Sequence, residues 1–239
     1  MKYLNQVNEI VKFSNLADII EILSLEKKDI YFVGGAVRSI LNNKYDDKDI
    51  DLVIPELKDK IIEQISDNFK TKYYSGYKSL AITDNNFEYQ INSFRKDIHA
   101  TGRHSKVAQA YSLEEDSKRR DFTFNSVYIN LLGEAFDFYD GISHYKSSYL
   151  KFIFDPYEQI QKDYLRSIRY VRFLSLFENT KTNTNDLDAI ILLSKNINEF
   201  VKENKISQEL KKIYKMPYPK NTINFLKKYK ELNYFLDYL

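Results

Sequence analysis

The residues with the clearest chemical meaning in this 239-residue chain are Asp49 and Asp51, with Ile50 between them. Residues 50–54 form a short apolar run that Pro55 ends, the pattern of a strand. Alternate residues of a strand point to one face, so the spacing sets two carboxylates side by side. Paired oxygen donors suit a hard divalent cation such as Mg²⁺, which takes one or two carboxylates and completes its shell with water and substrate phosphates. The chemistry this permits is phosphoryl or nucleotidyl transfer. Taken alone, an Asp-x-Asp equally describes a strand with solvated aspartates, and its neighbours change that balance. Gly34 and Gly35 follow a second apolar run at 30–33, where the missing side chains let backbone N–H groups and a helix N-terminus approach a phosphate. Arg38 stands one turn into that helix, within reach of a triphosphate.

The elements that must position these residues are legible from periodicity. Apolar residues at helical spacing over 7–25 predict one or two amphipathic helices. Strand, tight turn and helix are expected across 30–41, and a helix over 56–65 follows the Asp-x-Asp strand. Further strands are expected at 79–83 and 87–94, joined by a hairpin turn, and at 127–131 and 134–138 around Gly133. Residues 96–111 are polar, hold Gly102, Arg103 and His104, and show no sustained period, which reads as a mobile loop. Residues 114–120 read as a short charged helix. From Asp155 and Pro156 to about 177, and again from 186 onward, the pattern is helical, with Pro217 and Pro219 as breaks. The expectation is an α+β fold: a domain over 1–154 built on a small mixed sheet, followed by an all-helical domain over 155–239.

Composition narrows the function classes. The chain holds no cysteine, which excludes disulfides, thiolate metal sites and cysteine nucleophiles and leaves carboxylates or histidine to hold any metal. No run approaches the roughly 18 apolar residues of a spanning helix, and the N-terminus lacks the layout of a signal peptide, so no membrane and a cytoplasmic location are expected. The formal net charge of +2 does not by itself point to a polyanion, so clustering has to carry that question. After residue 200 the lysines at 202, 205, 211, 212, 215, 220, 227, 228 and 230 outnumber the acids. That excess describes either a phosphate-facing stripe or a solvated helical face.

The segment Val-Gly-Gly-Ala-Val-Arg at 33–38, followed by Asp-Ile-Asp at 49–51, resembles the catalytic motif of the class II CCA-adding enzymes and bacterial poly(A) polymerases. Later segments are similar to that family in the same order. Phe94 and Arg95 resemble the strand end before its flexible loop, and 113–125, with Arg119, Arg120, Asp121 and Asn125, resembles its second motif. Residues 137–141 resemble the third motif; Asp155 and Pro156 through Asp163, Arg166, Arg169 and Arg172 resemble the fourth; 204–210 resembles the helical neck. The resemblance implies a nucleotidyltransferase head domain followed by a neck. It implies Asp49 and Asp51 as catalytic Mg²⁺ ligands in a two-metal mechanism, and Gly34, Gly35, Arg38, Arg95, Arg119, Arg120, Asp121, Asn125, Asp163, Arg166 and Arg169 as nucleotide-binding residues. The implied partners are CTP, ATP and the 3′ end of tRNA, with Lys205, Lys211 and Lys212 toward the RNA. Asp163 and Arg166, three apart on an expected helix, would share a face and present an acceptor and a forked donor. In the resembled family that pair selects C and then A.

The chain also departs from the pattern. Ser39 and Gln90 stand where the family usually has Asp and often Glu, and His144 and Tyr145 replace a common Asp-Leu. Lys162 replaces the Glu before Asp163, so a cation is expected to repel Arg166 and compete for Asp163. The resemblance stops at the neck, whereas the family continues into domains that grip tRNA. The lysines after 200 are expected to compensate, and Phe225, Leu226, Tyr234 and Phe235, read as exposed, to cover that surface or to contact a second copy in a homodimer. The near full-length segment 96–111 favours complete CCA addition, against CC-only or A-only addition and poly(A) polymerisation. A catalytically weak RNA-binding module and a transferase acting on a protein or small molecule are the readings from other classes.

Overall fold

The computed structural model describes residues 2–14, 16–45, 48–84, 86–102 and 104–239. They divide into two compact units, one of Met1–Asp97, Val107–Arg120 and Phe124–Gly141, the other of Ile98–Lys106, Asp121–Thr123 and Ile142–Leu239.

The first unit carries helices α1 (Leu4–Phe13), α2 (Ala17–Leu23), α3 (Gly35–Asn42), α4 (Asp59–Asn68) and α5 (Leu113–Ser117). In chain order the strands are β1 (Tyr31–Val33), β2 (Asp49–Ile54), β3 (Lys70–Tyr74), β4 (Ser79–Asp84), β5 (Phe87–Ser93), β6 (Arg95–Thr101), β7 (His104–Gln109), β8 (Tyr128–Asn130) and β9 (Ala135–Phe136); of these, β6 and β7 pass into the second unit, which holds Ile98–Lys106. A mixed sheet runs β3-β4-β5-β2-β1-β8-β9, with β2 and β5 parallel and the other pairs antiparallel. Period-two alternation sorts its two faces. Ile50, Leu52, Leu80, Ile82, Tyr89 and Ile91 are all buried on one face. Tyr89 donates from there to the Ser14 carbonyl at the end of α1, which puts helical cover on that side. On the opposite face Asp49, Thr83, Glu88 and Gln90 are exposed.

Two elements differ from the sequence reading. Residues 96–111, expected as a mobile loop, form the paired strands β6 and β7. A two-stranded ribbon needs only its backbone ladder, so its polar side chains left no alternation to detect. Strand β3 was not foreseen, because Lys-Thr-Lys-Tyr-Tyr shows no apolar period and the strand pairs only with β4, at the sheet's edge.

The second unit continues with α6 (Gly141–Lys146), β10 (Tyr149–Leu150), α7 (Pro156–Lys162), α8 (Leu165–Phe173), β11 (Lys181–Thr182), α9 (Thr184–Leu193), α10 (Ile197–Phe200), α11 (Glu203–Lys211) and α12 (Pro219–Lys228). Its core is aromatic: Phe122 packs on Phe152, Tyr170 and Phe173 with ring centroids 5.0, 5.8 and 5.4 Å away. Leu226 and Phe235, read as exposed, are buried within this unit instead. Their helical spacing gives one buried stripe but does not say which stripe it is, and the homodimer contact built on them loses two of its four residues. No helix among the described residues is long and apolar enough to cross a membrane.

Two stability predictions follow from these contacts. Gly133 turns β8 into β9 at φ +75°, and a Cβ there would lie 2.3 Å from the Leu4 backbone nitrogen. Gly133→Ala is expected to lower unfolding free energy by about 1–3 kcal/mol, read as a shifted urea midpoint at unchanged m-value. Asp186, 1% exposed, accepts a hydrogen bond from Phe152 N–H at 3.1 Å. Burial pushes its carboxyl up to about 7, with Asp155 adding to the rise against the opposing Phe152 N–H and Lys151. A carboxyl raised in the folded state contributes stability below its unfolded pKa of about 4 that is lost as pH rises through about 7. Asp186→Asn should therefore gain on the parent by about 1–3 kcal/mol between pH 4 and pH 8 in urea titrations.

Candidate active site

Asp49 and Asp51 project from β2 onto the open face of the sheet, as their spacing required. Between β1 and α3 the chain turns at Gly34, whose φ of +61° favours glycine. A Cβ on Gly34 would lie 3.3 Å from Asp51 Oδ2, so the bare backbone lets the turn sit against that carboxylate. Among the described residues no three His, Cys, Asp or Glu side chains gather in a way suited to a metal. The protein's own donors here are two carboxylates, an all-oxygen set that fits Mg²⁺ completing its shell on phosphates and water. Gln90 pairs with Asp51 across β5 and β2, and its amide donates to Ser79 Oγ at 3.0 Å. One turn into α3, Arg38 donates to Asn125 Oδ1 at 2.5 Å, joining two residues 87 positions apart.

The arginines of the second motif are organised by a residue that the sequence reading passed over. Asp116, fully buried at the end of α5, accepts from Arg119 Nε at 3.0 Å, Arg120 Nη2 at 3.0 Å, Tyr128 Oη at 2.7 Å and the Arg95 backbone N–H at 3.1 Å. Burial alone would raise its pKa, but Arg119 and Arg120 hold it well below the ordinary carboxylate range. Arg120 also donates to Tyr128 Oη at 2.8 Å. Arg95 donates to the Tyr77 carbonyl, and burial and then repulsion from Arg119 pull its guanidinium down to about 10. Its Nε is buried without a hydrogen-bond partner. Two guanidiniums and the main chain of a third arginine thus converge on one carboxylate, an excess of positive charge that suits a phosphate chain. The clue was available, since Asp116 precedes Arg119 and Arg120 by three and four residues. In the third motif Asp137 Oδ1 accepts from Gly141 N–H at 2.7 Å and from Tyr139 N–H at 3.3 Å, closing a turn.

In the second unit, Asp121 accepts from Arg169 Nε at 2.6 Å, and Arg172 Nε lies 2.9 Å from Glu209 Oε1. The single helix expected across Asp163 and Arg166 is broken there. Asp163 ends α7 with extended backbone, φ −153° and ψ 103°, and its Oδ1 accepts from Leu165 N–H at 3.1 Å at the start of α8. Asp163 therefore meets Arg166 across a helix junction, because a short polar side chain competes well for the free N–H groups of a helix start. Lys162 does not compete for Asp163 as expected. Its Nζ lies 3.6 Å from Glu158 Oε2, one turn back on the exposed face of α7. Arg166 instead donates to Oε1 of Gln159, a fully buried residue missing from the sequence reading. Residues on either side of Asp163 also meet the β6–β7 ribbon: Gly102 N–H donates to Gln161 O at 2.8 Å, and Tyr164 N–H donates to Gly102 O at 2.7 Å. Of the lysines assigned to RNA, Lys212 is held 2.9 Å from Glu209 Oε2, Lys205 donates to Gln208 at 3.2 Å and Lys211 is exposed.

Residues 30–151 match the family described as the poly(A) polymerase head domain. The chain is 30% identical over 205 residues to the human mitochondrial CCA tRNA nucleotidyltransferase 1, covering 83% of this chain and 46% of that protein. It is also 30% identical over 200 residues to a CCA-adding enzyme of Lactobacillus delbrueckii, covering 80% and 50% respectively. Among solved structures it is similar to the Bacillus stearothermophilus CCA-adding enzyme in complex with CTP, with a TM-score of 0.73 and 25% identity over 89% of this chain and 50% of that one. The chain spans about half the length of the relatives it matches.

The Asp116 cluster generates a test of its own. Removing one partner of a buried ion pair leaves the others uncompensated, so Asp116→Asn is expected to cost about 3–5 kcal/mol in chemical denaturation. Because the folded carboxyl is held low, the parent's advantage should be present above the unfolded pKa near 4 and shrink as pH falls below it.

Proposed function

The chain belongs to the family of class II CCA-adding enzymes and bacterial poly(A) polymerases, and from that premise we propose that it adds nucleotides to the 3′ end of tRNA, C and then A, from CTP and ATP. The observation that carries this reading is the Asp49 and Asp51 pair on an open sheet face with the Gly34 turn against Asp51 Oδ2. In the reaction the RNA 3′-oxygen attacks the α-phosphorus of the nucleotide, the bond to the β-phosphate breaks, and pyrophosphate departs. Asp49 and Asp51 would hold Mg²⁺, which when bound would acidify the 3′-hydroxyl and neutralise charge at the phosphates. Arg38, fixed by Asn125, and the Arg95, Arg119 and Arg120 cluster bind the triphosphate and the leaving pyrophosphate.

Base selection falls to Asp163 and Arg166. Asp163 is oriented by its bond to Leu165 N–H and Arg166 by Gln159, so acceptor and donor fork are set by separate anchors. This divides labour along the chain, with 1–154 performing the transfer and 155–239 choosing the base. The Lys162 cation, turned toward Glu158, leaves selection by Asp163 and Arg166 undisturbed. That supports complete CCA addition over partial activities.

A second reading, poly(A) polymerisation, is favoured by the family match itself, whose description names that activity. Supplying labelled CTP and ATP separately to tRNA lacking its 3′ end separates the two. Incorporation of C followed by a single A is expected; long ATP-only tails on arbitrary RNA would overturn the CCA reading. In the same assay Asp49→Ala and Asp51→Ala should each cut incorporation by at least about a hundredfold with unchanged thermal unfolding. Near-parent turnover in either variant would remove the metal assignment.

A further inference from the structure

The face of the sheet that bears Asp49 and Asp51 does not end at β2. Residues paired across neighbouring strands share a face, and the register extends two rows to the sheet's free edge. One row runs from Asp49 through Glu88 on β5 and Thr83 on β4 to Lys70 on β3. The next runs from Asp51 through Gln90 and Ala81 to Lys72, and the row beyond Val53 and Asn92 ends on Ser79 and Tyr74. The third row is covered, with Val53, Asn92 and Ser79 buried, but along the first two Asp49, Glu88, Thr83, Lys70, Gln90 and Lys72 are exposed, as is Tyr74 at the edge. Three strand spacings of about 4.8 Å separate β2 from β3, so the lysines stand about 14 Å from the aspartates.

The edge is built of one kind of material. Residues 70–78 read Lys-Thr-Lys-Tyr-Tyr-Ser-Gly-Tyr-Lys, three lysines and three tyrosines without an acid. Tyr74 and Tyr77 are 39% and 47% exposed, enough ring to stack on a base. Lys72 Nζ lies 5.1 Å from the Tyr74 ring, and the Arg95 guanidinium lies 5.7 Å from that of Tyr77. The basic and aromatic edge is thereby continuous with the arginine cluster as well as with the carboxylate rows. Lysines on an edge strand also guard against edge-to-edge pairing, a task either face could serve. Here both lysines of β3 and Tyr74 lie on the carboxylate face.

We propose that the Lys70, Lys72 and Tyr74 edge, with Tyr77 beside it, is a track for the single-stranded 3′ segment of the RNA. The segment's last nucleotide lies at Asp49 and Asp51, and its preceding phosphates and bases rest on the lysines and tyrosines. The charge pattern has the right order: carboxylates that attract cations at the reacting end, ammonium groups that attract phosphates upstream. Alternating cations and exposed rings are the material of single-strand binding surfaces. The inference rests on the reading of this face as the site of transfer to RNA and names the surface that receives the strand.

The test is binding of tRNA lacking its terminal CCA, measured by fluorescence anisotropy without nucleotide across a salt series, beside CTP incorporation by the same proteins. Lys70→Glu with Lys72→Glu should raise the RNA Kd at least about tenfold and leave KM for CTP within about twofold. Losing two phosphate contacts should flatten the salt slope by about 1.4. Lys70→Arg with Lys72→Arg should bind as the parent does, and Tyr74→Ala should weaken binding without changing the slope. Lys58→Glu with Lys60→Glu on α4, an equal change of charge elsewhere, should leave the Kd in place. An unchanged Kd and slope in the β3 variant, an equal loss in the α4 variant, or self-association of the β3 variant with RNA affinity intact would each overturn the proposal. A parent protein that incorporates nothing while the β3 variant alone loses RNA supports the track and sinks the transfer reading. An active parent with indifferent variants sinks the track alone.

Discussion

Two like charges on neighbouring positions of a strand repel, and nothing in apolar packing rewards holding Asp49 and Asp51 together. In the proposed reading a cation and phosphates offset that repulsion, and the local fold leaves room for them. Gly34 gives up a side chain to bring a turn of backbone to Asp51 Oδ2. The sheet buries Ile50, Leu52, Tyr89 and Ile91 on its far side, so the intervening residues must face outward. The same alternation that makes a core thus exposes the chemistry, and a register slip of one residue would exchange the two.

The site proposed for phosphates rests on a different device. Arg95, Arg119 and Arg120 are gathered around the single buried carboxylate of Asp116, with Tyr128 as a fourth partner. One acid orients several bases without cancelling them, so the guanidiniums are preorganised and the cluster stays positive. Burial lowers the Arg95 guanidinium to about 10, with repulsion from Arg119 adding to the fall and Asp116 opposing it.

Much of this was legible in the chain. Periodicity gave the strand under Asp49 and Asp51, the glycine turn and the α3 start, and the motif order gave the family. What escaped has physical causes. The sequences of β3, β6 and β7 show no sustained apolar period, and a backbone ladder leaves no trace in hydropathy. The break between α7 and α8 escaped because Asp163 neither is a proline nor follows a glycine; its side chain caps Leu165 N–H, a bond that a helix-length window does not see. Gln159 was invisible as the anchor of Arg166 because seven residues is two helical turns only in an unbroken helix, and this one is interrupted. Lys162 was misjudged by proximity in sequence: on α7 its nearest acid is Glu158, a turn behind it.

Gly102, on the β6–β7 ribbon, bonds through its main chain to Gln161 O and Tyr164 N–H at the α7–α8 junction. A Cβ at Gly102 would lie 2.3 Å from the Phe200 ring, so the position tolerates no larger residue while φ stays at +68°. Peptide groups neither titrate nor draw counterions. Ionic strength therefore bears little on these two bonds, which depend on the backbone of Gly102 rather than on a charged side chain.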